Sequence, residues 1–397
     1  MIIWPILWLI WGEHMSVAFF SGAKSFKQQW PLISARLDQV IDDGKFTNGP
    51  AVQELEQKLE VFTGAKHCIA VGNATDALII MLRAAGIGAG DEVIVPCYSF
   101  FASASSIAHV GAIPVFCDIE EGTYMIDVKQ IEQCITDRTK AIMPVHLFTQ
   151  MADMTAIREI AEQHQLLVLE DSAEAISMFH NGKHAGLLGN AGVISFFPTK
   201  TLGAIGDAGL ILTDDDTIAM EARRLRIHGQ DEGIPYIHQT VGYNSKMDDI
   251  QATILLVRLE FLQREIARRA YLAACYNREL ADIKEVFTPM IKKHADDATN
   301  AVYYVYLIET DERDNLVAHL SLHEIGTEVY YPYPLHLQPC FKHLGYQTGD
   351  MPRAELAARR AVGLPMYPDM TEEQVTLVCE QIRSFFGKGN EHERSIL

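Results

Sequence analysis

The sequence predicts an α/β chain with a mainly parallel, seven-stranded type of sheet in a large unit over residues 16–245. A smaller α+β unit follows over residues 246–397. Three observations point there. From residue 67 onward short apolar runs alternate with helical stretches. The runs are almost continuously apolar, as strands covered on both faces must be. After residue 245 the pattern changes to one long amphipathic helix, an aromatic strand and further mixed elements.

His67 to Val71 reads as the first strand, and Thr75 to Ala85 as a helix with Leu78, Leu82 and Ala85 on one face. Glu92 to Pro96 is the second strand, followed by a small-residue helix over Ala102 to His109. Ile113 to Asp118, Lys140 to Val145 and Leu166 to Asp171 continue the strands, with helices near Asp127 to Cys134 and Asp153 to His164 between them. His180 and His184 flank Asn181-Gly182, which reads as a hairpin turn carrying two surface histidines. Val193 to Phe197 and Gly209 to Thr213 follow too closely for a crossover helix, so they form a hairpin or rejoin the same sheet. Asp249 to Arg269 is the long helix, and Val302 to Ile308 the aromatic strand. A helix near Asp314 to Glu324, a strand at Thr327 to Tyr331 and a closing helix at Glu372 to Phe386 complete the order, with a charged, fraying tail from Lys388. No Gly/Pro/Ser-rich linker separates the two units, which therefore share a long interface helix.

Apolar residues make up 48% and charged residues 21%, enough to bury a core. The 52 acidic against 33 basic residues leave a net charge of −19. That surface repels nucleic-acid phosphate and anionic lipid, so neither nucleic acid nor a membrane is an expected partner. Seven cysteines, an odd number with no CxxC spacing, suit reduced thiols in a cytoplasmic location and give no zinc framework. Ile2 to Trp11 is an uncharged apolar run of ten residues, against about 20 needed to span a bilayer. Residues 1–15 are therefore expected to be an over-extended start or an unstructured tail rather than an anchor.

In a parallel sheet, ligands bind where strands end and helices begin. Gly72-Asn73-Ala74-Thr75-Asp76 follows the first strand and opens a helix; free N–H groups there suit a phosphate, although an ordinary helix cap would look the same. The fifth strand ends in Glu170-Asp171, and a carboxylate there needs a cap, a cation or a ligand as partner. Ser195-Phe196-Phe197-Pro198-Thr199-Lys200 puts a lysine just past another buried strand, where partial desolvation makes a nucleophilic amine. Phosphate cradle, acid and amine together are what pyridoxal phosphate requires, with an aromatic face supplied by Tyr98 or Phe100. Gly86-Ile87-Gly88-Ala89-Gly90 precedes a strand instead of following one, so it reads as a turn and not a dinucleotide site. Asp214-Asp215-Asp216 reads as a solvated loop, and no metal site is expected.

At this point the chain resembles the DegT/StrS family of pyridoxal-phosphate sugar aminotransferases, from about Gly44 to Phe386. The resemblance rests on FTNGP at 46–50, GNATDAL at 72–78, PCYSFFASA at 96–104, PVHLFTQMADM at 144–154 and EDSAEAI at 170–176. It continues through SFFPTKTLGAIGDAGLILT at 195–213, RRLRIHGQ at 223–230, GYNSKMDDIQA at 242–252, YYPYPLHLQP at 330–339 and LPMYPDMTEEQ at 364–374. It implies the fold of aspartate aminotransferase, a fold-type I large domain. It also implies Lys200 as the Schiff-base lysine and Asp171 as the partner of the pyridinium nitrogen. Phe100 would stack on the ring, Glu174 would lie beside the ring hydroxyl, and Asn73, Ala74, Thr75 and Ser195 would hold the phosphate. Asn244 would reach the phosphate of a neighbouring subunit's cofactor, which makes a homodimer necessary. Glu174 stands where many relatives have Gln, and Lys246 where Arg is usual, which keeps the charge but loses the bidentate fork.

The implied reaction moves an amino group from L-glutamate to a keto group of a nucleotide-linked deoxysugar, a 3-keto sugar being favoured, in amino-sugar biosynthesis. His146, His228, Lys246, Tyr331 and His336 are candidate substrate contacts. A sugar dehydratase of the same family would carry histidine in place of Lys200. A non-catalytic sensor would not need lysine, aspartate and phosphate loop together.

Overall fold

A strand that is apolar on both faces must be sandwiched between helices, and this requirement organises the computed structural model. It describes residues 16–231, 235–292 and 300–393, with side chains as far as 387. The expectations for residues 1–15 therefore lie outside the described residues.

Strands β1 (His67–Val71), β2 (Glu92–Pro96), β3 (Ile113–Cys117), β4 (Thr139–Ile142) and β5 (Leu167–Asp171) come first. A small hairpin, β6 (Phe179–His180) and β7 (Lys183–His184), precedes β8 (Ala191–Ser195) and β9 (Gly209–Thr213). The main sheet has seven strands in the order β1-β9-β8-β5-β4-β2-β3. All its pairings are parallel except those of β9, which runs antiparallel to both β8 and β1. The close spacing of the last two strands is thus a rejoining of the same sheet by an adjacent antiparallel strand. Helices α1 (Ala23–Asp43) and α2 (Pro50–Thr63) lead in, followed by α3 (Ala74–Ala84), α4 (Phe101–His109), α5 (Val128–Ile131), α6 (Met154–His164) and α7 (Asp216–Arg226). Asn73, Asp153 and Asp215 accept backbone N–H groups at the starts of α3, α6 and α7. The Asp214–Asp216 run is therefore a cap and ion-pair cluster: Asp216 meets Lys66 and His67, and Asp214 meets Lys183.

Helix α8 (Asp249–Leu280) runs eleven residues past Arg269, where the sequence reading stops it. Its first half packs Leu255, Leu256 and Leu262 into the core beneath the sheet. Its second half gives Leu272, Ala273 and Tyr276 to a second core. That second core holds β10 (Tyr306–Glu309), α9 (Arg313–Leu322), β11 (Ala361–Leu364) and α11 (Glu372–Glu393), with α10 (Pro352–Arg360) alongside. Val17 belongs to it as well and pairs with Ile325. Helix α11 continues to Glu393, five residues past Lys388, where the sequence predicts a frayed tail.

Three expectations are corrected. The aromatic strand shrinks to Tyr306–Glu309, because the N–H groups of Val302 and Tyr304 go to the Thr149 and Phe148 carbonyls, and the Tyr303 and Tyr304 carbonyls go to Arg269. No strand forms over 327–331: only Glu328 bridges, to Gly363, and Tyr331 turns to φ 49°. The turn at 181–182 is a hairpin, but only His180 lies near the surface. His184 is fully buried, accepting the Ser177 N–H at Nε2 and donating from Nδ1 to the Ala185 carbonyl. Burial holds its imidazole down at about 4, hence neutral.

Candidate active site

The parallel strands deliver Val71, Asp171 and Ser195 to one edge of the sheet, where their C-terminal ends meet. Strand β9 runs the other way, so it starts at that edge, and Gly209 lies opposite Ser195. A Cβ on Gly209 would stand 2.6 Å from the Asn73 carbonyl carbon and 2.8 Å from the Ala74 nitrogen. Glycine is therefore what lets the start of α3 close on β8 and β9, bringing Asn73, Ala74 and Thr75 beside Ser195. The same loop draws in Asn244 to Lys246: the Gly72 N–H donates to the Ser245 carbonyl at 3.0 Å, and Val71 bridges Lys246.

Lys200 sits in a tight loop after β8, its N–H donating to the Phe197 carbonyl at 2.8 Å. Its Nζ is 2.9 Å from Glu174 Oε1 and 4.3 Å from the centre of the Tyr304 ring, with 15% of the side chain exposed. The other Glu174 oxygen accepts the Phe148 N–H at 2.7 Å, and Tyr304 Oη lies 3.2 Å from Thr199 Oγ1. Burial by itself would depress the Lys200 amine. The Glu174 carboxylate, supported by Tyr304 and Asp171, outweighs it and holds the amine above the ordinary lysine range. Asp171 is buried; its Oδ2 accepts the Ser103 hydroxyl at 2.7 Å and its Oδ1 the Ala173 N–H at 3.2 Å. Burial still raises its carboxyl, with the Ser103 bond, the Ala173 bond and the Lys200 charge pulling the other way. A cation beside Asp171 would remove that cost.

The donor set fits a phosphorylated aldehyde with a basic ring nitrogen. The first-turn N–H groups of Ala74 and Thr75 have no intrahelical acceptor, and Ser195, at the end of β8, carries a hydroxyl that accepts the Phe197 N–H at 3.3 Å. The amine and the buried acid complete what the sequence reading requires.

The remaining candidates divide. Phe100 caps α4 one turn from Ser103 and is 60% exposed. Tyr331 is half-buried, its ring against Phe148 and Tyr98 at 5.9 and 5.4 Å; burial first, and then the Glu174 charge, push its hydroxyl up. Asn244 is exposed and accepts from the Lys246 ammonium. His228 occupies an exposed turn after α7, its backbone bonded to Tyr243. His336 is buried against Glu355, 3.3 Å away, and among the described residues its Nδ1 has no partner. His146 is fully buried with both ring nitrogens engaged, which leaves neither free for a substrate. The sequence reading missed Tyr304, Ser103 and Phe148. Ser103 lies inside the quoted PCYSFFASA run, but nothing local singles out Tyr304 among the aromatics of 303–306.

The DegT/DnrJ/EryC1/StrS aminotransferase family matches residues 30–383. The chain belongs to that family. Within it, the chain is 45% identical over 372 residues to a Geobacillus stearothermophilus protein named "pleiotropic regulatory protein", covering 94% of this chain and 99% of that one. It is 40% identical over 347 residues to the Pseudomonas aeruginosa UDP-2-acetamido-2-deoxy-3-oxo-D-glucuronate aminotransferase, covering 87% and 94%. Among solved structures it is similar to S. venezuelae DesV in complex with a ketimine intermediate (TM-score 0.89, 34% identity, 93% and 98% covered). It is also similar to Bacillus subtilis NtdA with bound cofactor PMP (TM-score 0.83, 32% identity, 90% and 82% covered). Among the described residues no helix is long and apolar enough to cross a membrane.

Proposed function

We propose that this DegT-family chain is a pyridoxal-phosphate aminotransferase that takes nitrogen from L-glutamate and delivers it to a nucleotide-linked keto sugar, with a 3-keto sugar favoured. The observation that carries the reading is the Lys200 amine, held 2.9 Å from Glu174 at the same sheet edge as the buried Asp171 carboxylate. The 3-oxo sugar in the name of the Pseudomonas relative supports the acceptor class.

Pyridoxal phosphate supplies an electron sink for a carbanion and a carbonyl that can carry an amino group. The residues of the chain do the rest. The first-turn N–H groups of α3, with Thr75 and Ser195, would grip its phosphate, and Phe100 would lie over its ring. Asp171 would keep the ring nitrogen protonated, and Glu174 would orient Lys200. Lys200 Nζ would take a proton from the substrate carbon as general base and give it back, as general acid, to the carbon on the far side of the transferred nitrogen. His228, Lys246, Tyr331 and His336 stay in this reading as candidate substrate contacts. The division into units 16–245 and 246–397 belongs to it too, with the boundary just before α8. So does a cytoplasmic homodimer with Asn244 serving the neighbouring site. Phe46, Ile205 and Ile250, all exposed, ring the start of α8, as a face for a second copy would.

Reduction with borohydride followed by peptide mapping should leave the cofactor on Lys200, and Lys200→Ala should carry none. A tag on another residue, or on none, overturns the reading. The regulatory name of the Geobacillus relative favours one alternative, a sensor that binds without turnover. A sensor would keep its cofactor absorbance unchanged when any amino donor is added; the proposed enzyme loses that band with L-glutamate and regains it with the right keto sugar.

A further inference from the structure

Glu170 is a carboxylate that the proposed chemistry does not use. It precedes Asp171 on β5, so its side chain leaves the strand on the opposite face, and it is fully buried. Three N–H donors converge on it. His146 Nε2 and the Gly186 N–H reach Oε2 at 2.9 and 2.8 Å, and the Gly189 N–H reaches Oε1 at 2.6 Å. The tautomer of His146 is fixed by its other nitrogen: the Ala152 N–H donates to Nδ1 at 3.2 Å, so the ring proton sits on Nε2 and points at Glu170.

The glycines explain how the turn gets close enough. Gly186 has φ +89°, a Cβ on Gly189 would stand 2.3 Å from the Val168 carbonyl oxygen, and one on Gly192 would stand 2.2 Å from Gly186 Cα. The 186–189 turn thus lies close against β5, with the Gly186 and Gly189 N–H groups turned onto Glu170. His146 in turn holds the reacting strand end: its N–H donates to the Asp171 carbonyl at 3.0 Å, and the Asp171 N–H donates to the Pro144 carbonyl at 2.9 Å. The residue whose ring is locked by Glu170 is therefore bonded to the peptide of Asp171.

We propose that Glu170, acting through His146 and the 186–189 turn, is a positioning residue that sets the angle at which Asp171 meets the cofactor nitrogen. The proposal rests on the reading of Asp171 given above. Glu170→Gln is a stringent probe because both carboxylate oxygens accept N–H groups. Whichever way the amide turns, its NH₂ faces a donor at Gly189 or at Gly186 and His146.

The test uses the full-length, cofactor-loaded protein. In single turnovers with L-glutamate, Glu170→Gln should slow loss of the cofactor band about tenfold or more, with half-saturation for glutamate changed less than about twofold. Independently of turnover, the band's maximum and its pH midpoint should move toward those of Asp171→Asn. If Glu170→Gln does not fold, His146 decides: His146→Leu should shift the band the same way, while His146→Gln, which keeps an N–H donor, should restore it. Folded variants with a wild-type band, pH midpoint and rate overturn the proposal. A wild-type protein that takes up no cofactor would overturn the functional reading as well, and that result needs no variant to be seen.

Discussion

In Glu174→Gln the carboxylate 2.9 Å from Lys200 Nζ becomes a neutral amide of nearly the same shape. At that separation a full charge pair is worth at most about 6 kcal/mol with an effective dielectric near 20. The amine is 15% exposed, and the amide oxygen still accepts its hydrogen bond. We therefore expect about 1.4 to 2.8 kcal/mol of that attraction to be lost, a tenfold to hundredfold rise in the unprotonated fraction of Lys200 at a given pH. The sign follows from the two opposed causes. Burial favours the neutral amine, the Glu174 charge favours the ammonium, and removing the charge leaves burial in command. Only a neutral amine attacks an aldehyde, so attachment of added pyridoxal phosphate to cofactor-free enzyme should be faster in the variant by the same factor. Stopped-flow absorbance from pH 7 to 10 measures it, taking the limiting rate at saturating cofactor so that weaker initial binding does not intrude. Wild-type attachment should speed up with pH across this range, and the variant's profile should be displaced to lower pH. Superimposable profiles would refute the reasoning.

Three further outcomes are expected. Asp171→Ala should keep the cofactor on Lys200 yet slow the half-reaction with L-glutamate by about a hundredfold or more, because the ring nitrogen loses its anion; an unaltered rate would remove Asp171 from its role. Gly209→Ala should force a Cβ to 2.6 Å from the Asn73 carbonyl carbon, against the rigid Asn73–Ala74 peptide. Urea titration should show a loss of about 1–3 kcal/mol, accompanied by weaker cofactor affinity; neither changing would mean that the α3 start is not a tight seat. His184 titrates at about 4 in the folded chain against 6.5 in the unfolded one. As pH falls below 6.5 the unfolded chain takes up a proton that the folded chain refuses, so lowering pH from 7 to 5 should cost about 2 kcal/mol from this residue. His184→Gln should abolish that share of the acid sensitivity.

The strand series was legible because buried parallel strands must be apolar throughout, and β1, β2 and β9 coincide with the runs at 67–71, 92–96 and 209–213. Segments 302–305 and 327–331 carry the same strand-like composition, yet their backbone groups pair elsewhere. The partners of 302–305 lie at Phe148, Thr149 and Arg269, which no local pattern names. The histidines show the same divide. His146 and His184 are ordinary in the sequence, and only the fold shows that each spends both ring nitrogens on buried partners.

The order of the strands between residues 67 and 213, the strand-end position of Asp171, the place of Lys200 just past a buried strand and the family of the chain were determined by the sequence alone, because they depend on periodicity and on motif spacing along the chain. The tertiary structure alone decided that Glu174 faces Lys200, that Tyr304 lies against the same amine and that Ser103 holds Asp171. Each of those is a contact between residues 26 to 104 positions apart. Such contacts are set by which strand ends the sheet order brings together and by the glycines that let loops approach, neither of which is written in any local stretch.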